Sequence, residues 1–178
     1  MRELADADRI RAFMRSLAAA ARRPAQVYLV GGATAVLEGW RASTVDIDLK
    51  LVPEDDGLLR AIQAIKETLK VNVELSSPDD FIPVKEGWPE RSPFVAQEGR
   101  LTFRHFDPHA QALAKIERGH QNDQLDVAAL IDRGLVDPER LMADFDAIAD
   151  HLYRYPALDV VSFRLAVESV VTEARRRT

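Results

Sequence analysis

The apolar and polar positions of the first hundred residues follow two periodicities, which together predict a mixed α/β fold. Apolar residues three or four positions apart indicate amphipathic helices. Short apolar runs and strict alternation indicate strands, and two such runs flanking a glycine indicate a hairpin. The predicted helices span residues 6–22, 33–38 and 54–69, and the predicted strands span residues 27–30, 43–52, 71–75, 94–96 and 101–103.

From Asp107 onward only the helical periodicity remains. Asp107–Pro108 and Asp137–Pro138 each join a capping aspartate to a proline, which is pre-set for the first helical turn. The predicted helices span residues 108–118, 121–133, a stretch that starts at 138, and 158–174. The order of elements predicts an α/β (α+β) fold, with a mixed sheet flanked by helices over residues 1–106 and a helical C-terminal lobe over residues 107–178. We expect the lobe to pack against the sheet as one compact unit.

The stretch 43–52 carries the first candidate chemistry. Its apolar face has Val45, Ile47, Leu49 and Leu51, and its polar face has Asp46, Asp48 and Lys50. Residues two apart on a strand share a face, roughly 6.6 Å apart, so the two aspartates should lie side by side. Two carboxylates at that separation repel each other unless a hard cation lies between them, and Mg²⁺ or Mn²⁺ takes such oxygen ligands. Glu74, on the polar face of the next predicted strand, is either a third metal ligand or the base that activates an attacking hydroxyl.

A glycine turn precedes the acidic strand. Gly31–Gly32 follows the apolar strand at 27–30 and opens a short helix, so backbone N–H groups there can approach a phosphate. Ser43 or Thr44 can add a hydroxyl donor. Each feature alone is more often an ordinary turn or a solvated strand face, and it is their joint order that favours a function. A phosphate-binding turn beside a two-carboxylate metal site predicts in-line phosphoryl or nucleotidyl transfer.

Composition narrows the alternatives. The absence of cysteine excludes disulfides, thiolate metal sites and a cysteine nucleophile. The formal net charge of −5 means that a nucleic-acid substrate requires a local basic patch. Arg22–Arg23 and Arg175–Arg177 are candidates, although a basic chain end is more often a solvated helix terminus. With no apolar run of about 18 residues and no signal-peptide pattern, we expect no membrane association and a cytoplasmic location.

Residues 29–35 (LVGGATA) and 41–49 (RASTVDIDL) resemble the signature of the polymerase-β-like nucleotidyltransferase superfamily. The resemblance is strongest over residues 27–52. Within the superfamily it is greatest to the small bacterial branch that includes the AbiEii-type toxins and related nucleotidyltransferases. It implies a nucleotidyltransferase-type mixed sheet, Mg²⁺ and a nucleoside triphosphate (NTP) donor. It also implies that Gly31, Gly32 and Ser43 hold the triphosphate, while Asp46 and Asp48 hold the metal.

Residues 114–118 (AKIER), followed by Asp123 and Asp126, resemble the lysine-and-aspartate helical motif of the same branch. The resemblance implies that Lys115 reaches the nucleotide phosphates and that Asp123 or Asp126 orients it. Lys115 and Asp126 are eleven residues apart, so they would share a face of a continuous helix, unless Gly119 interrupts it. The alternative is that these residues form ordinary charge pairs on an exposed helix.

The sequence therefore predicts an enzyme that transfers a nucleoside monophosphate from an NTP to an acceptor hydroxyl of RNA, protein or a small molecule. The resemblance implies a role in a toxin–antitoxin or phage-defence system. The alternative is a nucleotidyltransferase fold that has lost its chemistry and acts as an antitoxin or partner-binding subunit. Retention of both Asp46 and Asp48 favours the enzyme. The net negative charge and the unassigned third carboxylate favour the alternative, and the pattern leaves the oligomeric state open.

Overall fold

The structure is a computed structural model, and it describes residues 1–177. The chain forms two compact units. The first comprises Met1–Ser77 and Ser92–Phe106, and the second comprises Pro78–Arg91 and the chain from Asp107 onward. The mixed sheet with flanking helices, followed by C-terminal helices, confirms the predicted fold class.

A five-stranded mixed sheet organises the first unit, and its strands lie in the order β5 (Asn72–Leu75), β4 (Asp46–Val52), β2 (Ala25–Val30), β7 (Leu101–His105) and β6 (Phe94–Glu98). β2 pairs antiparallel with β4 and parallel with β7. β4 pairs parallel with β5, and β6 forms the predicted hairpin with β7. A separate two-stranded ladder joins β1 to β3. The elements are β1 Ala5–Asp6, α1 Ala7–Ala20, β2 Ala25–Val30, α2 Gly32–Glu38, β3 Ser43–Thr44, β4 Asp46–Val52, α3 Asp56–Leu69, β5 Asn72–Leu75, β6 Phe94–Glu98 and β7 Leu101–His105.

One face of this sheet packs against α1 and α3 and forms the core of the unit. Alternate residues of the central strands point into it, including Leu29 on β2 and Ile47 and Leu49 on β4, and all three are fully buried. Phe13 on α1 and Ile62 on α3 belong to the same apolar cluster. The intervening strand residues, among them both candidate aspartates, therefore point to the opposite face.

The single strand predicted over residues 43–52 is wrong, because it is interrupted at Val45. Thr44 belongs to β3, where it pairs with Ala5, and its hydroxyl donates a hydrogen bond to the backbone carbonyl of Asp46, 3.0 Å away. The chain bends between the two strands, and the Val45 side chain is 65% exposed instead of facing the core. From Asp46 to Val52 the predicted alternation is confirmed.

The strand predicted at residues 71–75 is β5, at one edge of the sheet. Val71 and Val73 are buried as expected, but Leu75 is 53% exposed. Leu75 is the last residue of this edge strand, so the predicted apolar face does not reach the strand end.

Helices dominate the second unit, and their starts follow the predicted caps. The carboxylates of Asp107 and Asp137 accept hydrogen bonds from the backbone N–H groups of His109 and Glu139. The last helix starts two residues later than predicted, at Val160. The elements are η1 Pro78–Asp80, α4 Pro108–Arg118, α5 Gln121–Asp132, α6 Pro138–Ala149, η2 Leu152–Arg154 and α7 Val160–Arg177.

Among residues 1–177, none of the helices combines the length and the apolar character that crossing a bilayer requires.

Candidate functional site in the first unit and a buried lysine cluster in the second

The acidic residues lie where β4 meets both of its neighbours. Asp48 is in register with Val30, the last residue of β2, and with Glu74 on β5. Asp46 is in register with Asn72 on β5. Both aspartates are half-buried and alternate with core residues, so they share the sheet face that points away from α1 and α3.

The glycine turn follows β2 and therefore lies directly beside these carboxylates. Gly31 has φ +59°, a region that favours glycine, and an added Cβ would lie 3.3 Å from the Oδ2 atom of Asp48. At Gly32 an added Cβ would lie 2.0 Å from the Oγ1 atom of Thr44. The two glycines thus let the turn approach both the acidic strand and the segment that leads into it.

Ser43 and Thr44, the candidate hydroxyl donors, differ in their surroundings. Thr44 is buried against Gly32, and its hydroxyl already donates to the carbonyl of Asp46. Ser43 pairs with Asp6 in the β1–β3 ladder and is half-buried. Thr44 therefore holds the turn and the acidic strand together.

The third candidate carboxylate, Glu74, is exposed and is bridged to Asp46 by an amide. The Nδ2 group of Asn72 donates to the Oδ1 atom of Asp46 and to the Oε1 atom of Glu74, the latter 3.3 Å away. Within residues 1–177, no three histidine, aspartate or glutamate side chains are grouped so that they could hold one metal ion. Sequence reasoning missed the role of Asn72. The signal that could have found it is its position two residues before Glu74, which places both side chains on the same face of the strand.

Two adjacent carboxylates suit one kind of metal site. Mg²⁺ is usually held by one or two carboxylates, with water and substrate phosphates completing its coordination. Asp46 and Asp48 supply these two carboxylates. Because residue 31 is glycine, no side chain at this position fills the space beside the Asp48 carboxylate. The residues present therefore fit Mg²⁺ or Mn²⁺ bound together with a phosphate ligand, rather than a cage made by the protein alone.

A buried histidine holds α2, the helix that begins at the glycine turn. The His105 ring is 3% exposed. Its Nδ1 atom lies 3.0 Å from the Thr34 hydroxyl, and its Nε2 atom lies 2.9 Å from a carboxylate oxygen of Glu38. Burial lowers the pKa of His105, and the charge of Glu38 opposes this only in part. Sequence reasoning missed this contact, although His105 has the same strand parity as the core residues Leu101 and Phe103.

Lys115, Asp123 and Asp126 form a cluster in the second unit. The Lys115 ammonium lies 2.7 Å from the Oδ2 atom of Asp126 and 3.6 Å from the Oδ1 atom of Asp123. All three are buried, with exposures of 9%, 2% and 1% for Lys115, Asp123 and Asp126, so they are not charge pairs on an exposed helix. Gly119 interrupts the helix, in agreement with the two separate helices predicted there, because it ends α4 at φ +71° and α5 starts at Gln121. The lysine and Asp126 meet because the two helices pack together.

Asp123 has a second cation beside it. The Arg118 guanidinium donates to both of its carboxylate oxygens, at 2.8 and 2.6 Å, and the backbone N–H of His120 donates as well. Burial alone would raise the pKa of Asp123, but the hydrogen bonds and charge of Arg118, with the charge of Lys115, lower it. Lys115 also lines a groove of about 710 Å³ between α4, α5 and α7. Lys115 thus lies beside an open groove, and its ammonium group is held by two buried carboxylates.

Comparison with known proteins identifies the family but provides no characterised relative. No curated protein and no solved structure matches the chain. A family whose members are described as nucleotidyltransferases of unknown function (DUF6036) matches over residues 7–175, which is nearly the whole chain. This family, the mixed sheet and the acidic strand beside the glycine turn agree with one another. The chain belongs to the DUF6036 family of nucleotidyltransferases of unknown function.

Proposed function

We propose that the protein is a metal-dependent nucleotidyltransferase, which moves a nucleoside monophosphate from an NTP to an acceptor hydroxyl. The observation that carries the proposal is the approach of the glycine turn to the acidic strand, where a Cβ added at Gly31 would lie 3.3 Å from the Oδ2 atom of Asp48. A glycine turn at the start of a helix and a pair of hard oxygen donors then meet at one point. A metal-bound polyphosphate needs both kinds of partner.

In the proposed reaction the acceptor oxygen forms a bond to the α-phosphorus while the bond from that phosphorus to the pyrophosphate oxygen breaks. Mg²⁺ or Mn²⁺, when bound, neutralises phosphate charge and favours this displacement. Asp46 and Asp48 are the proposed metal ligands. Glu74 is the proposed third ligand or the base that takes the acceptor proton, and its exposed carboxylate beside Asp48 in the sheet supports the second role.

Each unit by itself provides proposed phosphate contacts, and those of the first unit lie at the glycine turn. Gly31 and Gly32 contribute backbone N–H groups to the triphosphate, and Ser43 contributes a hydroxyl. Thr44 supports the turn through its contact with Gly32. Lys115 is the proposed ligand of a phosphate oxygen, oriented by Asp126 and Asp123. The 2.7 Å contact with Asp126 supports this, because it fixes the position of the ammonium group in a buried setting.

The acceptor and the biological role extend the proposal further. RNA, a partner protein and a small molecule are the candidate acceptors, and a toxin–antitoxin or defence role follows from the resemblance to the AbiEii-like branch. The donor would come from the cytoplasmic NTP pool. The net charge of −5 favours an acceptor that does not require a broad basic surface.

Radiolabelled donors test the reaction and its class together. The protein is incubated with Mg²⁺, a cell extract and each NTP, labelled at either the α- or the γ-phosphate. The proposal predicts that α-label enters RNA, protein or a small molecule, whereas γ-label is released as pyrophosphate. Asp46→Ala with Asp48→Ala should abolish transfer, and Asp150→Ala, at an exposed aspartate, should not. Transfer of γ-label, or transfer unchanged in the double variant, would reject the proposal.

A binding module or antitoxin subunit without catalytic activity is the second candidate. One observation favours it: within the described residues, Glu74 does not join Asp46 and Asp48 in a group of three that could hold a metal ion. This candidate predicts that a partner protein binds equally well to the wild type and to the double aspartate variant, and that no label is transferred from any NTP.

A further inference from the structure

Asn72 occupies the position on β5 directly beside Asp46, with Glu74 two residues further along the same strand. Its amide N–H group donates to both carboxylates. Without a donor between them, two carboxylates on neighbouring positions of a sheet repel each other. The amide therefore reduces the repulsion between the two carboxylates, as a cation between them would, but it carries no net charge.

The orientation of the amide is also fixed. The guanidinium of Arg2 donates to the Oδ1 atom of Asn72, so the oxygen of the amide is engaged on the side away from the carboxylates. An amide flipped by half a turn would direct its oxygen at Asp46 and Glu74 and its NH₂ group at a cation. Since both contacts would then be unfavourable, the Nδ2 group is held toward the carboxylates.

From this geometry we infer that Asn72 is a positioning residue for the metal-binding carboxylates. Its amide holds the Asp46 carboxylate in one orientation, with the Glu74 carboxylate beside it, in the absence of a metal ion. This inference rests on the proposed function, because it assumes that Asp46 is a metal ligand. Hydrogen-bond partners of metal-ligating carboxylates fix the ligand's orientation, and their loss typically weakens metal binding.

The inference predicts opposite effects for two substitutions at one position. Asn72→Ala removes the donor, so Mn²⁺ should bind about 10-fold more weakly, at the low end of the range for such partners. Asn72→Asp adds a third carboxylate beside Asp46, so Mn²⁺ should bind more tightly, by about 10-fold, because the charge of the ligand set controls affinity. A residue with only a structural role would lower the melting temperature in both variants and leave the affinity for Mn²⁺ unchanged.

The experiment is a titration of the full chain with Mn²⁺, in which the electron paramagnetic resonance signal of the free ion reports binding. Asn122→Asp is the matched control. Asn122 is an exposed asparagine on α5, and this substitution adds the same charge and should leave the affinity at the wild-type value. Circular dichroism shows which variants are folded. Asn72→Ala alone carries the test if Asn72→Asp does not fold.

Two results would overturn the inference: an unchanged affinity in Asn72→Ala, or an Asn72→Asp variant that binds Mn²⁺ no more tightly than Asn122→Asp. Asp48→Asn separates this failure from failure of the proposed function. If the wild type binds Mn²⁺ and Asp48→Asn does not, the proposed metal site is supported, independently of the results for the Asn72 variants. If Asp48→Asn binds as well as the wild type, the proposed metal site itself is wrong.

Discussion

At the scale of single residues, two glycines determine how closely the turn and the acidic strand approach each other. An alanine at position 32 would place its Cβ 2.0 Å from the Thr44 hydroxyl oxygen. A change of the Thr44 rotamer cannot remove this clash, because the Cβ of Thr44 is itself only 2.7 Å away. An alanine at position 31 meets the Asp48 carboxylate instead. Position 31 therefore affects the proposed site directly, whereas position 32 affects the backbone that supports it.

Gly31→Ala and Gly39→Ala form a matched pair that separates backbone strain from an effect on the site. Both glycines have positive φ, +59° and +89°, but nothing lies within 4 Å of a Cβ added at Gly39. Gly39→Ala, in the left-handed region, should lower the free energy of unfolding by about 1–2 kcal/mol, and Gly31→Ala, at φ +59° and ψ −120°, by at least as much, measured by urea denaturation. Only Gly31→Ala should also weaken the binding of Mg²⁺ and NTP. Equal effects of the two variants on nucleotide binding would show that the turn has no contact with the ligand.

At the scale of elements, the buried carboxylate of Asp144 holds parts of the second unit together. The Asp144 carboxylate on α6 contacts the Lys85 ammonium at 3.0 Å and the His109 ring of α4 at 2.6 Å. The other ring nitrogen of His109 accepts a hydrogen bond from the backbone N–H of Asp137, the residue that caps α6. One aspartate thus links two helices and the segment at residues 78–91.

Asp144→Asn should destabilise this unit by about 1–3 kcal/mol, because the buried side chain at position 144 loses its charge and with it the charge-assisted hydrogen bonds to Lys85 and His109. Asp146→Asn, two residues along the same helix at an exposed ion pair with Arg164, should cost less than about 1 kcal/mol. Chemical denaturation at neutral pH measures both. Similar losses in the two variants would mean that the Asp144 pairs contribute no more than a surface contact.

The pH dependence follows from the same contacts. Burial would raise the pKa of Asp144, but the hydrogen bonds and charges of His109 and Lys85 outweigh burial and lower it from its ordinary value of 3.8. A lowered pKa in the folded state stabilises the fold fully above the unfolded value, and this contribution is lost as the pH falls through the folded value. The wild type should therefore lose stability below about pH 4, with a smaller loss in Asp144→Asn.

At the scale of the whole molecule, local patterns predicted most elements, and contacts distant in sequence account for the differences. The alternation from Asp46 to Val52 and the caps at Asp107 and Asp137 depend on neighbouring residues, and these predictions were confirmed. The break at Val45 depends on the pairing of the preceding residue, Thr44, with Ala5, which strand periodicity does not report.

The same distinction applies to the candidate site. The order of strand, glycine turn and acidic strand indicated that Gly31 and Asp48 would be close, because an antiparallel pair joined by a short helix returns the chain to the same end. The bridge made by Asn72 depends on the register between β4 and β5, and the contact of His105 with α2 depends on the position of β7. Neither register can be derived from periodicity alone.

The central claim is that Asp46 and Asp48 together bind a metal-bound nucleotide at the glycine turn. Isothermal titration calorimetry with each of the four NTPs and Mg²⁺ tests it most directly. We expect the wild type and the control Asp150→Asn to bind at least one NTP with equal affinity, and Asp46→Asn with Asp48→Asn to weaken that binding by at least about 10-fold, or 1.4 kcal/mol. Binding of equal strength in the double variant, or no binding of any NTP by the wild type, would contradict the account.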